Sequence, residues 1–227
     1  MKQKKQNLVS YVKNSVSSLS EQKIGSFNVF FHDRFENDIS FKEIVNKVNR
    51  LLPYDFLSLI DVIYVGNFDF FEKRNINASY MNGAIYVSPK QDNFNDLLDD
   101  IVHEISHAVL ERYEEYIYAD EKIKNSFLSK RSKLEKILKY HDHDISQYDF
   151  LNTEYNHAFD KFLYRGIGYE KLNNMTIGLF LAPYSITSLD EYFARAFEEY
   201  YLGNRVYLHK LCPYIYDKLV SLEEEVT

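Results

Sequence analysis

The chain has 227 residues, of which 45% are hydrophobic and 16% aromatic, and its formal net charge is −7. That length and composition suffice for one sizeable core, and the negative balance without a basic stripe argues against nucleic acid as a partner. A single cysteine, Cys212, excludes an internal disulfide and a cysteine-rich metal site, and is expected to be an ordinary semi-buried thiol.

Residues 1–25 are polar and rich in Lys, Gln and Ser, which predicts a loose arm or a peripheral helix ahead of one domain spanning 26–227. They lack the apolar centre of a signal peptide, and no run approaches the ~18 apolar residues of a membrane span. The expectation is therefore a cytoplasmic protein without membrane contact; release by lysis or packaging in a virion would leave no mark in the sequence.

Phe27 to His32 reads as a first strand. Ser40 to Leu52 carries Phe41, Ile44, Val45, Val48 and Leu51 at helical spacing, with Ser40 as cap and Pro53 as stop. Leu59 to Val65 is β-rich and ends at Gly66, and Phe68 to Phe71 adds an aromatic patch. Ala84 to Ser88 is a second strand, opened by Asn82-Gly83 and closed by Pro89. At a sheet edge its backbone could hold an extended peptide; in the interior it could not.

Next comes His103-Glu104-Ile105-Ser106-His107, an H-E-x-x-H sequence. Leu97, Leu98, Ile101, Val102, Ile105 and Val109 form a helical apolar stripe around it, with Asn95 or Asp92 as cap and Asp96 in the first turn. Residues four apart share one helix face, so both imidazoles can reach one Zn²⁺ at ~2.0–2.1 Å. Glu104 is then placed to take a proton from a metal-bound water. Asp99 or Asp100 could orient His103, or be plain surface acids.

Residues 26–113 thus form an α/β part and 114–227 a helical one. Glu121 to Tyr140 reads as an exposed helix or pair of helices with Ile123, Phe127, Leu134, Ile137 and Leu138 on one side. His141-Asp142-His143-Asp144 is a solvated loop or a second metal site, and His157 a structural histidine within a helical stretch, Thr153 to Tyr164. Gly166 and Gly168 mark a turn. Ser188 to Leu202 forms a helix with Phe193, Ala196, Phe197 and Tyr200 inward, and Pro213 to Glu225 a last one.

A catalytic zinc keeps three protein ligands and one open position. A three-histidine site would need Gly and His where Leu110 and Tyr113 stand, so the third ligand is expected to be a carboxylate. Glu191, at the start of an apolar helix, is the first candidate and Glu198 the second. Glu191 could instead complete a capping box with Ser188 or pair with Arg195 one turn on.

Tyr184 to Phe197 follows the pattern Y-x₆-E-x-F-A-x-A-F. It resembles the second zinc helix of the anthrax lethal factor catalytic domain and is similar to the secreted Pro-Pro endopeptidases. The segments around Ala84–Ser88 and Asp99–His107 also look like putative metallopeptidases of phage genomes. The resemblance covers His103–His107 and Tyr184–Phe197 well and little else. Arg195 replaces the acid of the family's F-A-E-A-F, and the segment between the two helices is longer.

What the resemblance implies is an α+β, zincin-like fold: a small mixed sheet on an active-site helix, then a mostly helical C-terminal half. It implies one Zn²⁺ held by His103, His107 and Glu191, Glu104 as base, and Tyr184 as a hydroxyl donor to the oxyanion, unless Tyr184 is a core tyrosine. The expected activity is that of a zinc endopeptidase acting on a peptide or protein bound along Ala84–Ser88. The alternative is a non-enzymatic phage particle or interaction protein that keeps the fold and a structural zinc.

Overall fold

The computed structural model describes residues 20–74 and 76–226. The chain divides into two compact units, Met1–Ala108 and Val109–Thr227.

The first unit is built on a mixed five-stranded sheet. Its elements are β1 (Ser20–Ile24), β2 (Phe27–Phe31), α1 (Phe41–Leu51), α2 (Tyr54–Leu57), β3 (Val62–Val65), α3 (Asp69–Arg74), β4 (Ala78–Met81) and β5 (Ala84–Val87). The strand order is β1-β2-β3-β5-β4, with β2, β3 and β5 parallel and the two outer pairs antiparallel. From Ser20 onward the segment expected to be a loose arm is therefore an edge strand; the rest of that expectation lies outside the described residues.

The register explains the burial. Val29, Ile63 and Ile85 are aligned across three strands, as are Phe31, Val65 and Val87. Val29, Ile63, Val65, Ile85 and Val87 are fully buried on that face. Because side chains alternate, Phe30, Tyr64 and Tyr86 line the other face as a row of rings 5.5 and 5.2 Å apart. Phe68 and Phe71 close over Tyr86 there, so the predicted aromatic patch is the cover of this face.

The β4–β5 hairpin turns on Asn82 and Gly83, both with positive φ (50° and 81°). This is the two-residue turn that suits the twist of paired strands. A Cβ at Gly83 would come within 2.6 Å of an Asp61 carboxylate oxygen. β5 consequently pairs on both sides, with β3 and with β4. Its interior position corrects the idea that Ala84–Ser88 offers free backbone to a peptide; the edge belongs to β4.

Helix α4 (Phe94–Tyr118) follows and runs across the boundary between the units, with a break in helical geometry at Tyr113 (φ −117°, ψ 17°). Its start is capped by Asn93, whose side-chain oxygen accepts the amides of Asn95 and Asp96. The expected caps, Asn95 and Asp92, do not fill that role. Leu97, Leu98, Ile101, Val102, Ile105 and Val109 are all buried, as their spacing predicts.

The second unit is mostly helical: α5 (Lys122–Tyr140), α6 (His157–Lys161), a π-helical turn at Phe162–Ile167, α7 (Tyr169–Met175), a 3₁₀ turn at Tyr184–Ile186, α8 (Leu189–Leu202), α9 (Arg205–Leu211) and α10 (Pro213–Val226). α5 is less exposed than its charge suggested, for Lys130 and Arg131 are buried along with Ile123, Phe127, Leu134 and Leu138. α8 is enclosed on several sides, burying Tyr192, Phe193, Ala194, Ala196, Phe197, Tyr200 and Tyr201. No helix of the described residues is long and apolar enough to cross a membrane.

Candidate metal centre

His103 and His107 lie one turn apart on α4, both half-buried, and their Nε2 atoms are 3.2 Å apart. Two nitrogens this close either share a proton or converge on a cation. With metal–nitrogen bonds of ~2.0–2.1 Å at a tetrahedral angle, the two ligand atoms would sit roughly 3.3 Å apart. The imidazole pair therefore already has the spacing of two metal ligands. Ligand-type atoms of His103, His107 and Glu191 all lie within 4.8 Å of one another, a set that could hold one metal ion. Two imidazoles and a carboxylate form a donor set suited to zinc and to several other divalent ions.

Glu104 is buried, and its Oε2 accepts a hydrogen bond from the backbone N–H of Tyr80 on β4. The ladder explains why that amide is available. Asn77 bonds to Ser88, so by the alternation of an antiparallel pair Ser79 and Met81 also face β5, while Ala78 and Tyr80 face outward. The sequence held a signal for this contact. Asn82-Gly83 requires a strand on each side of it, which makes Ala78–Met81 the partner of β5.

Glu191 is placed by the start of α8. Ser188 is the N-cap, and its Oγ accepts the Glu191 amide proton at 3.1 Å. Ser188 thus supplies its half of the expected capping box. Arg195, the alternative partner of Glu191, bonds to Glu198 and lies 3.8 Å from Glu199. That also accounts for Glu198, the second candidate ligand, which is buried against a guanidinium and is outside the three-residue set.

Tyr184 sits on the 3₁₀ turn just ahead of α8 and is 36% exposed. Burial of its hydroxyl, then the nearby Glu191 carboxylate, raise its pKa far above the tyrosine range, so the phenol keeps its proton. Tyr155, Asp160 and Tyr169 act on it in the same direction. Asp160 accepts hydrogen bonds from Tyr155 at 2.7 Å and Tyr169 at 2.9 Å. This tyrosine–aspartate group was missed in the sequence, where Asp160 and the tyrosines share no motif.

The remaining candidates separate from the centre. The Nε2 of His143 faces the Lys171 ammonium at 3.2 Å, and neither His141 nor His143 joins a metal-type group among the described residues. His157 is exposed at the first position of α6, where it cannot be a core histidine. Asp99 is exposed and Asp100 half-buried on α4.

No protein-family model matches the chain, and comparison with curated proteins and with solved structures finds no match either.

Proposed function

We propose that this chain is a zinc-dependent endopeptidase with a zincin-like fold, using His103, His107 and Glu191 as ligands. The observation that carries the reading is the proximity of these three donors, with the imidazole nitrogens 3.2 Å apart and a glutamate directly after the first histidine. Bound there, a zinc ion would supply an acidified water and a Lewis acid for the carbonyl oxygen of the scissile bond.

The chain's own residues divide the remaining work. Glu104 accepts the proton of the attacking water and returns it to the leaving amine. The Tyr80 N–H donates to one oxygen of Glu104 and so helps to orient the carboxylate. A glutamate directly after the first histidine is not needed to hold the metal, which favours a catalytic role over a purely structural metal. Tyr184, kept protonated, donates its hydroxyl to the oxyanion. A peptide would lie along β4, which is the sheet edge where β5 is not; the Tyr80 amide is already taken by Glu104, leaving the remaining outward backbone groups of β4 to pair with it.

Metal analysis of the purified chain together with a peptide-library cleavage assay tests this. The parent is expected to hold one zinc and cleave; Glu104→Gln is expected to hold zinc and not cleave; Glu191→Ala is expected to lose the metal. Undiminished cleavage by Glu104→Gln removes the assigned base. A parent that binds zinc yet cleaves nothing supports the structural-metal alternative instead.

A further inference from the structure

The helical unit buries two cations that hydrolysis does not use. Arg131 has an evident structural role: its guanidinium lies 4.4 Å from the Phe159 ring centre and donates to the Asn152 carbonyl, tying down the loop before α6. Lys130 has no such account. It is 9% exposed, it donates to the Leu211 carbonyl at 2.8 Å, and its Nζ lies 3.5 Å from the Cys212 Sγ. The rings of Tyr192 and Phe180 lie 5.0 and 5.8 Å away. Among the described residues no carboxylate pairs with it; the charged neighbours acting on it are Cys212 and Lys133.

Buried ammonium groups are normally paired with an acid. Without one, desolvation lowers the pKa of Lys130. A lysine nitrogen 3.5 Å from a thiol that is itself 1% exposed is a pair of nucleophilic groups in contact, walled by aromatic rings. We propose that Lys130 and Cys212 are a modification site at which peroxide installs a reversible N–O–S crosslink between α5 and the α9–α10 junction.

The chemistry balances with two molecules of hydrogen peroxide. The first transfers one oxygen to the thiol, giving the sulfenic acid S–OH and one water. The second takes the sulfenic hydrogen and one amine hydrogen as the N–O bond forms, and is reduced to two waters. Sulfur and nitrogen are each oxidised by two electrons. A single oxygen atom spans the gap after a small approach by the flexible lysine chain. Burial excludes a second thiol or glutathione from the sulfenic acid, leaving the amine as the partner in reach. The crosslink joins positions 82 residues apart, so it constrains the unfolded chain as a long-range disulfide does.

The test is intact-mass analysis of the full chain after graded hydrogen peroxide, with and without dithiothreitol. The expected product has gained one oxygen and lost two hydrogens, reverts with dithiothreitol, and resists trypsin after Lys130. Its fragments join a Lys130 peptide to a Cys212 peptide, and its Tm is raised by at least about 5 °C. Lys130→Arg, which keeps the charge but lacks the amine, should give no such product. The proposal is overturned if Cys212 goes to sulfinic or sulfonic acid with Lys130 still cleaved by trypsin. It is equally overturned if the thiol survives unmodified, or if a mass loss of two hydrogens without added oxygen shows a direct S–N bond. These readouts need no folded variant and no activity.

Discussion

Glu191 sits in the first turn of α8, and its own amide is the one that Ser188 caps, so removing the cap should loosen the proposed ligand before it unfolds the helix. Ser188→Ala deletes a buried acceptor and leaves the Glu191 N–H unsatisfied; loss of an N-cap costs ~1 kcal/mol and up to about 2 kcal/mol. α8 stays in place because eight of its residues after Glu191 are buried. In a chain of this size that cost lowers Tm by roughly 2–8 °C. The same energy bounds the effect on metal binding: at ~1.4 kcal/mol per decade, zinc affinity should fall between about five- and thirty-fold. Zinc titration against a chromophoric chelator, run beside thermal melts with and without zinc, reads both. Ser188→Asp, an equally good cap, should restore both values. A variant with the lowered Tm and an unchanged zinc Kd would refute the link between cap and ligand, and with it the placement of Glu191 at the metal.

Three further outcomes are expected. Tyr184→Phe should keep its zinc and lower kcat by about 10²–10³-fold, the loss measured when one oxyanion donor is removed; steady-state kinetics with metal analysis check this, and an unchanged kcat makes Tyr184 a wall residue. Gly83→Ala should cost ~1–3 kcal/mol in urea unfolding, from a strained positive φ and from the approach to Asp61; a neutral effect would contradict the hairpin. Lys130→Met should change how stability varies with pH. Burial lowers the folded pKa of Lys130 below 10.5, so between that lowered value and 10.5 the unfolded chain binds the extra proton and stability rises with pH. Below that interval the buried ammonium is a constant cost. The climb should be present in urea melts of the parent as pH approaches 10.5 from below and absent from the variant; parallel curves would mean that Lys130 is not desolvated.

What could be read from the sequence was decided by periodicity and by spacing, and its errors have physical causes. The H-E-x-x-H helix was legible because six apolar residues at helical spacing leave little choice, and all six are buried. β1 was not legible: Ser20–Ile24 is exposed except for Ile24, so it has no apolar face and is recruited by pairing with β2 alone. β4 was overlooked although Asn82-Gly83 announced it, because a turn was taken to open one strand when it must join two. Asn93 was passed over as a cap because three neighbouring polar residues are chemically equivalent there, and only backbone geometry selects among them.

The hardest features to see in advance were polar residues on the wrong side of a pattern. α5 has a charged surface typical of a solvated helix, yet Lys130 and Arg131 are buried and are accommodated largely by rings, carbonyls and one thiol. The same logic governs Glu191 and Arg195. Helical spacing allowed an ion pair between them as an alternative to the ligand reading, but Arg195 bonds to Glu198, further along the helix, and the earlier carboxylate groups with two imidazoles. In both helices the sequence pattern identifies which face carries charge, while the partner each charge takes depends on residues that no local period records. That is why Glu191 could be named from the sequence only as one of several readings, and why the lysine–cysteine pair had to be found as three-dimensional neighbours.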